Sequence, residues 1–346
     1  MDRLKLVDAL QKVMPGIGEK ETLLEGTSSF MFDNDWVKTF NDTISVSYPY
    51  KSGVKCLVKA QELFKVLNKM ESAEITMVIE GEKLSITSGT TNLKMVITDS
   101  ENIASLVDNL SLESSEWTKL PENFVEGLKS VAIFAATNKA YESLCNVSVG
   151  SDGMISSDNF RAGWHHVDID IDDGFILPIE AVKNLVHIDL LTEYTQNDAW
   201  AQFRNKEDLY FSVRKISTDF PRDAIKGFLD FSFIKDSVEY SFPEKIKAAV
   251  ERAAILSSVN PDGKEYIEMG LDKKGNLIIK GSKQFGEIED KIVPDKKWKF
   301  PKDLLLKIDP RYFGDMLSIN NKFYIRDDKY LLMRNGDFDS IVALFQ

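Results

Sequence analysis

The chain has 346 residues, a formal net charge of −12, 43% hydrophobic residues and only two cysteines, Cys56 and Cys145. This length and apolar content are enough for more than one hydrophobic core. The acidic balance argues against general affinity for nucleic acid over the whole surface. Two cysteines are too few for a disulfide scaffold and favour a reducing compartment.

The first residues include the charged Asp2, Arg3 and Lys5, so we expect no signal peptide. No apolar run approaches the roughly 20 residues that a membrane helix needs. We therefore expect a cytoplasmic protein without a membrane partner.

Two series of amphipathic helices are predicted to recur along the chain. The first series has apolar residues at i, i+4 and i+7. Its members are Leu6, Leu10 and Val13; Phe124, Leu128 and Val131; and Ile246, Val250 and Ala253. The second series shares apolar, small and acidic positions and occupies residues 58–63, 177–182 and 300–305.

Hairpins are predicted after these helices. In the third copy, residues 266–271 alternate between apolar and polar and are predicted as the first strand. Lys274-Gly275-Asn276 is predicted to form the turn, and residues 277–280 the second strand. A similar hairpin is predicted around residues 80–86.

Both helix series recur after about 120 residues, a period that matches whole small domains. The sequence therefore predicts an α+β fold of three similar domains, each with two helices on an antiparallel sheet. The expected domains are 1–118, 119–230 and 231–346, with a polar linker at 99–119. The competing explanation is that similar amphipathic helices arise by chance, but both series recur with the same period.

Basic residues recur on the predicted helix faces. In the first series they lie two turns apart, and in the second series one turn apart. The pairs are Lys5 and Lys12, Lys245 and Arg252, Lys65 and Lys69, and Lys307 and Arg311. A localised positive surface on an acidic protein is one interpretation. The alternative is solvated helix faces whose cations pair with acids such as Glu62 or Glu251.

The stretch 165–174 invites a metal interpretation, because it holds His165, His166 and alternating aspartates. A calcium loop that starts at Asp168 would place Asp173 at the glycine position and Ile179 at the glutamate position, so the register fails. A strand with one wet face fits the alternation better. We expect no metal and no cofactor, and the sequence has no nucleophile elbow, zinc spacing or phosphate-binding glycine motif.

Residues 156–164, Ser-Ser-Asp-Asn-Phe-Arg-Ala-Gly-Trp, resemble the Ala-Thr-Asp-Gly-x-Arg-Leu-Ala signature of bacterial-type DNA sliding clamps, the beta subunit of the DNA polymerase III holoenzyme. The order of the surrounding segments is similar as well. An apolar-Pro helix lies at 177–182, a strand leads into Phe220-Pro221, and residues 248–258 are similar to the opening of the family's third domain. Ser157, Asn159 and Ala162 replace the signature's Thr, Gly and Leu, and the chain ends Val-Ala-Leu-Phe-Gln, which suits a divergent or phage-encoded clamp.

The resemblance implies a non-catalytic processivity factor in a bacterial cell or a phage-infected host. It would form a ring-shaped head-to-tail homodimer around double-stranded DNA, independently of sequence. The replicative DNA polymerase and the clamp loader would bind it through short peptide motifs. The residues expected to face DNA are Lys5, Lys12, Lys20, Lys65, Lys69, Lys139, Lys245, Arg252, Lys307 and Arg311.

The resemblance also implies an apolar peptide groove between the second and third domains, with Arg161 at its rim. The groove would use Leu144, Ser157, Asn159, Phe160, Arg161, Ala162, Phe228, Val342, Ala343, Leu344 and Phe345. Alternatively, Leu344 and Phe345 complete the third domain's core. Two other functions stay open: a clamp-like peptide-binding scaffold that encircles no DNA, and an unrelated multidomain enzyme.

Overall fold

The computed structural model describes residues 1–19, 24–98, 101–110, 116–232, 234, 237–261, 263–293, 300–301 and 305–345. Helices and antiparallel sheets are combined along this part of the chain, which confirms the α+β class. The chain divides into two compact units, Met1–Val125 with Glu180–Ser217, and Glu126–Ile179 with Thr218–Gln346. The division into three domains stays a prediction.

The α-helices are short and lie between groups of strands. Those of the described residues are α1 (Arg3–Val13), α2 (Ala60–Lys69), α3 (Glu101–Asn109), α4 (Phe124–Ala132), α5 (Ile179–Leu185), α6 (Arg222–Phe228), α7 (Ile246–Ile255) and α8 (Pro310–Leu317). Short 3-10 helices follow at Met14–Gly16 and Lys139–Leu144.

The strands are mostly of five to seven residues. Up to residue 150 they are β1 (Ser29–Asp33), β2 (Trp36–Phe40), β3 (Ile44–Pro49), β4 (Lys55–Lys59), β5 (Thr76–Glu80), β6 (Lys83–Ser88), β7 (Thr91–Val96), β8 (Thr118–Lys119) and β9 (Asn146–Gly150). The following strands are β10 (Gly153–Ser157), β11 (Arg161–His165), β12 (Phe175–Pro178), β13 (Leu191–Gln196), β14 (Trp200–Asn205), β15 (Tyr210–Arg214), β16 (Tyr240–Ser241), β17 (Ser258–Val259) and β18 (Glu265–Leu271). The last are β19 (Leu277–Lys283), β20 (Gly286–Ile292), β21 (Leu306–Ile308), β22 (Lys322–Arg326), β23 (Tyr330–Asn335) and β24 (Phe338–Ala343).

Each unit contains one eight-stranded antiparallel sheet and one smaller sheet. In the first unit the large sheet has the order β4-β1-β2-β3-β15-β14-β13-β8, and the small sheet is β5-β6-β7. In the second unit the large sheet is β12-β9-β10-β11-β24-β23-β22-β16, and the small sheet is β17-β18-β19-β20 with β21 beside β18. Strands distant in sequence therefore meet at two seams, where Val46 faces Phe211 and Ala162 faces Ile341.

The predicted apolar stripes of the first helix series are buried. Leu6, Leu10 and Val13 of α1 are fully buried, and so are Ile246 and Val250 of α7. The Ile246 N–H donates to the Pro243 carbonyl, so residues 243–246 form a turn. Helix α7 begins at the end of this turn, at Ile246. The hairpin of β18 and β19 is confirmed, with Leu271 opposite Leu277.

The predicted second helix of the third copy is wrong in its register. Residues 302–304 lie outside the described residues, Lys307 lies in β21, and Arg311 lies in α8. The Asp309 carboxylate accepts the Arg311 N–H and Pro310 occupies the first helical turn, which starts a helix at this point. Lys307 and Arg311 therefore do not share one helix face.

The predicted linker contains a helix that the sequence prediction missed. In α3, Ile103 and Val107 are buried and pack with Met31, Phe40 and Leu57. Residues 99–100 and 111–115 of the linker lie outside the described residues. An i, i+4 apolar repeat was present in the sequence, but the surrounding serines and acids obscured it.

The predicted strand within 165–174 is also wrong beyond His165, where β11 ends. Residues 166–174 form an irregular segment in which Ile169 and Ile171 are buried and the intervening aspartates are exposed. The Ile169 N–H donates to the Ser151 carbonyl, so the segment is fixed to the β9–β10 turn. The inside–outside alternation was right, but it does not require a β-ladder.

Within the described residues, no group of three or more His, Cys, Asp or Glu side chains is placed to hold a metal ion. In the same part of the chain, no helix is both long and apolar enough to cross a membrane.

Candidate functional site

The first unit presents lysines on two helices that contact each other, α1 and α2. Lys5 on α1 and Lys65 and Lys69 on α2 are exposed to solvent. None of the three has a carboxylate partner among the residues that the structure describes. Lys20 lies outside the described residues. Exposed ammonium groups on neighbouring helices can attract phosphates without reading bases.

Lys12, near the end of α1, differs because it is held by acidic residues of its own unit. Its Nζ lies 2.7 Å from a Glu207 carboxylate oxygen and 3.2 Å from one of Asp8, and it donates to the Tyr48 hydroxyl at 2.9 Å. Burial lowers the pKa of Lys12, but the hydrogen bonds to Glu207, Tyr48 and Asp8 outweigh burial and raise that pKa above its ordinary value. Lys12 is therefore charged but already paired.

In the second unit, Lys245 is exposed just before α7, and Arg252 lies in the last turn of that helix. The Arg252 Nε and Nη2 donate to the two carboxylate oxygens of Asp290 at 2.8 and 3.0 Å. This bidentate pair raises the pKa of Arg252. Asp290 lies on β20, so the fork is formed between the helix and an edge strand.

The other predicted DNA-facing residues of the second unit are placed on different elements. Arg311 donates from Nη2 to the Asp309 carboxylate at 2.7 Å, and Lys307 Nζ lies 3.8 Å from a Glu268 oxygen. Lys139 is exposed at the start of the second 3-10 helix. The assignment of these residues to a DNA surface stays a prediction.

The predicted groove signature forms the turn between β10 and β11. The Asp158 carboxylate accepts the N–H groups of Phe160 and Arg161, both at 3.0 Å, and the Ser157 hydroxyl donates to the Arg161 carbonyl at 2.8 Å. Asn159 occupies the left-handed region with φ of 77°, which asparagine tolerates better than most residues. Serine and asparagine in place of the signature's threonine and glycine are thus compatible with a tight turn.

The Arg161 side chain lies inside this structure, and not at a solvent-exposed rim. It is 9% exposed, and its Nε contacts Asp158 at 2.9 Å while Nη1 contacts Asp315 at 2.5 Å. The Nη2 group donates to the Ile133 carbonyl at 2.6 Å, and the guanidinium lies 4.3 Å from the centre of the Tyr312 ring. With these contacts, Arg161 fixes the turn against α8.

Two of the predicted groove residues, Leu144 and Ala162, belong to an apolar cluster of the second unit. Across the sheet, Ala162 on β11 faces Ile341 on β24, and Ile341 faces Leu332 on β23. The buried members of this apolar cluster are Ala136, Leu144, Ile155, Ala162, Phe220, Ile225, Leu229, Phe231, Leu332 and Ile341. Partly exposed side chains on its border include Trp164, Ile176, Tyr324 and Tyr330.

Phe228 lies at the border of the same region. It is 50% exposed, and its ring centre lies 6.1 Å from that of Tyr330. Leu229, which directly follows Phe228, is 1% exposed and was not among the predicted groove residues. Phe228 is the last residue of α6. Its side chain is half exposed to solvent, whereas the side chain of Leu229 is buried in the cluster.

The C-terminal residues are integrated into the second unit. Val342 faces Arg161 and Leu331, on the opposite side of β24 from Ile341, because side chains alternate along a strand. The Ala343 N–H donates to the Phe160 carbonyl at 2.8 Å, and the Leu344 N–H donates to the Lys329 carbonyl at 2.8 Å. Ile341, which was not among the predicted groove residues, is the residue of β24 that belongs to the cluster.

Phe345 makes a contact of a different kind. Its N–H donates to the Lys307 carbonyl at 2.8 Å, and its ring centre lies 5.9 Å from that of Tyr266. Leu344 is 9% exposed. These contacts support the alternative in which the last residues complete the core, while their part in a groove stays a prediction.

Each unit also exposes apolar side chains beside a sheet edge. In the first unit Val96, at the end of edge strand β7, is 68% exposed. In the second unit Ile255 is 71% exposed at the end of α7, and Phe285 is 81% exposed in the turn before edge strand β20. Exposed apolar residues beside unpaired strand edges are typical of association surfaces.

No protein-family model and no curated protein sequence matches the chain. Solved structures match its fold over the full length. The DNA polymerase III beta chain of Streptococcus pneumoniae is similar with a TM-score of 0.82 and 16% identity, covering 100% of this chain and 98% of that chain. The DNA polymerase sliding clamp of Bacillus subtilis has a TM-score of 0.81 and 14% identity, with 100% and 98% covered.

A third solved structure is the Helicobacter pylori beta clamp bound to a DNA ligase peptide. It has a TM-score of 0.79 and 13% identity, with 100% of this chain and 99% of that chain covered. The chain therefore has the sliding-clamp fold in a strongly divergent sequence, which confirms the fold that the sequence resemblance implies.

Proposed function

We propose that this chain is a divergent DNA sliding clamp, a non-catalytic processivity factor that encircles duplex DNA and tethers a replicative DNA polymerase. The observation that carries the proposal is the match of the whole chain to solved clamps, with 100% of its length covered at a TM-score of 0.82. It would act in the cytoplasm of a bacterial cell or a phage-infected host.

The basic residues support a sequence-independent contact with DNA. Lys5, Lys65 and Lys69 are exposed on helices of the first unit, and Lys245 is exposed beside α7 of the second unit. Ammonium groups on flexible stems make weak, interchangeable contacts with phosphates, which is what sliding requires. The net charge of −12 would keep DNA away from the rest of the surface.

Assembly into a ring would use the exposed sheet edges. We propose that β7 of one copy pairs with β20 of a second copy, head to tail, so that two such contacts close the ring. Val96 beside β7, and Ile255 and Phe285 beside β20, would then lose their exposure to water. An edge-to-edge contact satisfies the unpaired backbone groups of both strands.

Partner proteins would bind through short peptides at the apolar cluster, between Phe228 and the β11–β24 seam. The partly exposed Tyr324 and Tyr330 on its border are suited to contact apolar peptide anchors. The Helicobacter pylori clamp, which is similar in fold, is bound to a DNA ligase peptide. We therefore propose that the polymerase and the clamp loader carry such peptides.

The proposal is tested by light scattering of the purified protein with and without circular primed DNA. We expect the protein alone to have the mass of a dimer at micromolar concentration. After loading, the mass of the DNA circle should increase by the mass of one dimer. Ile255→Glu should give monomers, because it buries a charge at the contact, whereas Leu190→Glu, at a similarly exposed position (68%), should not. A wild-type monomer that still binds polymerase peptide would instead support the peptide-binding scaffold.

A further inference from the structure

The predicted DNA-facing cations fall into two groups in the described residues. Lys5, Lys65, Lys69, Lys139 and Lys245, the free cations, have no carboxylate within ion-pair distance there. The paired cations each contact a carboxylate of their own unit: Lys12, Arg252, Lys307 and Arg311. We infer that the carboxylates Glu207, Glu268, Asp290 and Asp309, one for each paired cation, compete with DNA phosphates for these cations and thereby set how tightly the clamp holds duplex DNA. This inference rests on the proposed function.

The pair of Arg252 and Asp290 shows the competition in its geometry. The two parallel contacts, at 2.8 and 3.0 Å, form the same fork that a guanidinium makes with a phosphate. Arg252 is 52% exposed, so DNA can reach it, while Asp290 is only 23% exposed. The carboxylate is thus a fixed anion, and a phosphate has to replace it or share the guanidinium with it.

Arg311 repeats this arrangement with an even more firmly held acid. Its side chain is 70% exposed, whereas Asp309 is 5% exposed. Asp309 also accepts the Arg311 N–H at 2.9 Å as the cap of α8, so it cannot leave without uncapping the helix. The guanidinium therefore presents its outer edge to solvent while its inner edge contacts Asp309.

Lys12 is paired with acids that are more exposed than the lysine itself. Glu207 is 57% exposed and Asp8 is 63% exposed, while the Lys12 side chain is 28% exposed. The Tyr48 ring, 4.4 Å from Nζ, holds the ammonium in place. A phosphate approaching Lys12 would meet two carboxylates, whose repulsion offsets part of the attraction.

The predicted DNA-facing cations therefore differ in how strongly they attract phosphates. The free cations attract phosphates at full charge, whereas the paired cations contribute only after a carboxylate gives way. Long-lived bidentate contacts with arginine would hold the clamp at one place on DNA, and internal acids at Arg252 and Arg311 prevent such contacts from dominating. Removing one of these acids should strengthen the contact of its cation with DNA.

The test uses Asp290→Asn, which keeps the shape of the side chain and removes its charge. Glu239→Gln is the matched control, because Glu239 pairs with Lys322 at 2.9 Å and neither residue belongs to the predicted DNA-facing cations or to the strands of the proposed ring contact. The readout is the equilibrium Kd for a fluorescent linear duplex, measured on the full-length protein between about 50 and about 200 mM salt. Thermal unfolding verifies that both variants are folded.

We expect Asp290→Asn to bind about two- to fivefold more tightly, the range of an exposed ion pair. Its plot of log Kd against log salt should be steeper by about 0.9 for each additional phosphate that the variant neutralises. Adding Arg252→Ala should abolish the increase in affinity, which places the effect at this residue. Glu239→Gln should match the wild type.

Equal affinity and salt slope for Asp290→Asn and Glu239→Gln, with a wild type that binds duplex DNA, would overturn the inference and leave the proposed function intact. An increase in affinity that persists after Arg252→Ala would also overturn it. A wild type without salt-dependent binding would reject the proposed function itself, and the inference with it.

Discussion

Ala162 on β11 lies directly opposite Ile341 on β24, which joins a strand of the chain's middle part to its last strand in one sheet. Both side chains belong to the apolar cluster that also holds Leu144 and Leu229. The C-terminal strand is therefore both a structural element and the floor of the proposed peptide site. Stability and peptide binding should separate only at the border of the cluster.

Ile341→Ala and Phe228→Ala test this separation. Ile341 is 4% exposed, so its truncation should reduce the free energy of unfolding by about 2–4 kcal/mol. Phe228 is 50% exposed, so its truncation should cost less than about 1 kcal/mol and still weaken binding of a polymerase-derived peptide. Chemical denaturation and fluorescence anisotropy measure the two effects. Unchanged peptide affinity in Phe228→Ala would exclude this side chain from the site.

Arg161→Met should destabilise the protein, because it leaves the 9%-exposed carboxylate of Asp158 without its guanidinium. Removing one partner of a buried pair costs about 3–5 kcal/mol, and the partial exposure of Asp315 places the expected loss at the lower end. The double variant Arg161→Met with Asp158→Asn should recover part of the loss. A single variant as stable as the wild type in urea would show that the turn does not depend on this arginine.

Deletion of residues 344–346 should lower stability as well as peptide binding. It removes the Leu344 and Phe345 backbone bonds to Lys329 and Lys307 and the contact of Phe345 with Tyr266. Leu344→Ala, with a 9%-exposed side chain, should account for about 2–3 kcal/mol of the loss. If the deleted protein melts at the wild-type temperature, these residues do not complete the core.

Acid should weaken the second unit through Asp339, which is 1% exposed and contacts Arg334 at 2.6 Å and His166 at 2.7 Å. Burial alone raises the pKa of Asp339, but the hydrogen bonds from Arg334 and His166 lower it below its ordinary value. A lowered folded-state pKa gives stability that is present above the unfolded-state pKa of about 3.9 and is lost as pH falls through the folded-state value.

Asp339→Asn should therefore flatten the decline in unfolding free energy below about pH 4, in addition to lowering stability at neutral pH. The exposed substitution Asp198→Asn serves as the control for a general change of charge. If the unfolding free energy of Asp339→Asn declines with falling pH as steeply as that of the wild type, other carboxylates cause the acid sensitivity.

Much of the fold was predictable because it depends on local periodicity. The stripes of Leu6, Leu10 and Val13 in α1 and the hairpin around Lys274-Gly275-Asn276 follow from spacing and turn chemistry. The seam between Ala162 and Ile341 could not be predicted in this way, since it joins residues far apart in sequence. The sequence resemblance supplied the fold that the periodicity left open.

The candidate site was less predictable for a related reason. The face of a strand that a residue occupies depends on register, so Val342 was predicted in the groove where Ile341 contacts the cluster. Helical spacing placed Lys307 with Arg311, but the Asp309-Pro310 start of α8 separated them. Ion pairs such as Arg252 with Asp290 depend on tertiary contacts, which a residue pattern does not contain.

Lys65→Glu with Lys69→Glu should weaken DNA retention without unfolding the protein. Both lysines are exposed on α2, and the slope of log Kd against log salt should fall by about 0.9 for each phosphate that the variant no longer neutralises. Lys83→Glu, an exposed charge reversal on β6, is the control. Gel filtration with labelled duplex measures retention, and equal losses in both variants would indicate a general charge effect.

Topological retention on DNA tests the central claim most directly. The protein is loaded with a bacterial clamp loader, the proposed partner, onto a nicked circular plasmid and separated by gel filtration at a salt concentration that removes simple phosphate contacts. We expect the protein to stay with the circle and to dissociate after the circle is cut once, because a ring slides off a free end. Loss from the intact circle, or equal retention on the cut DNA, would contradict the claim that this chain encircles DNA.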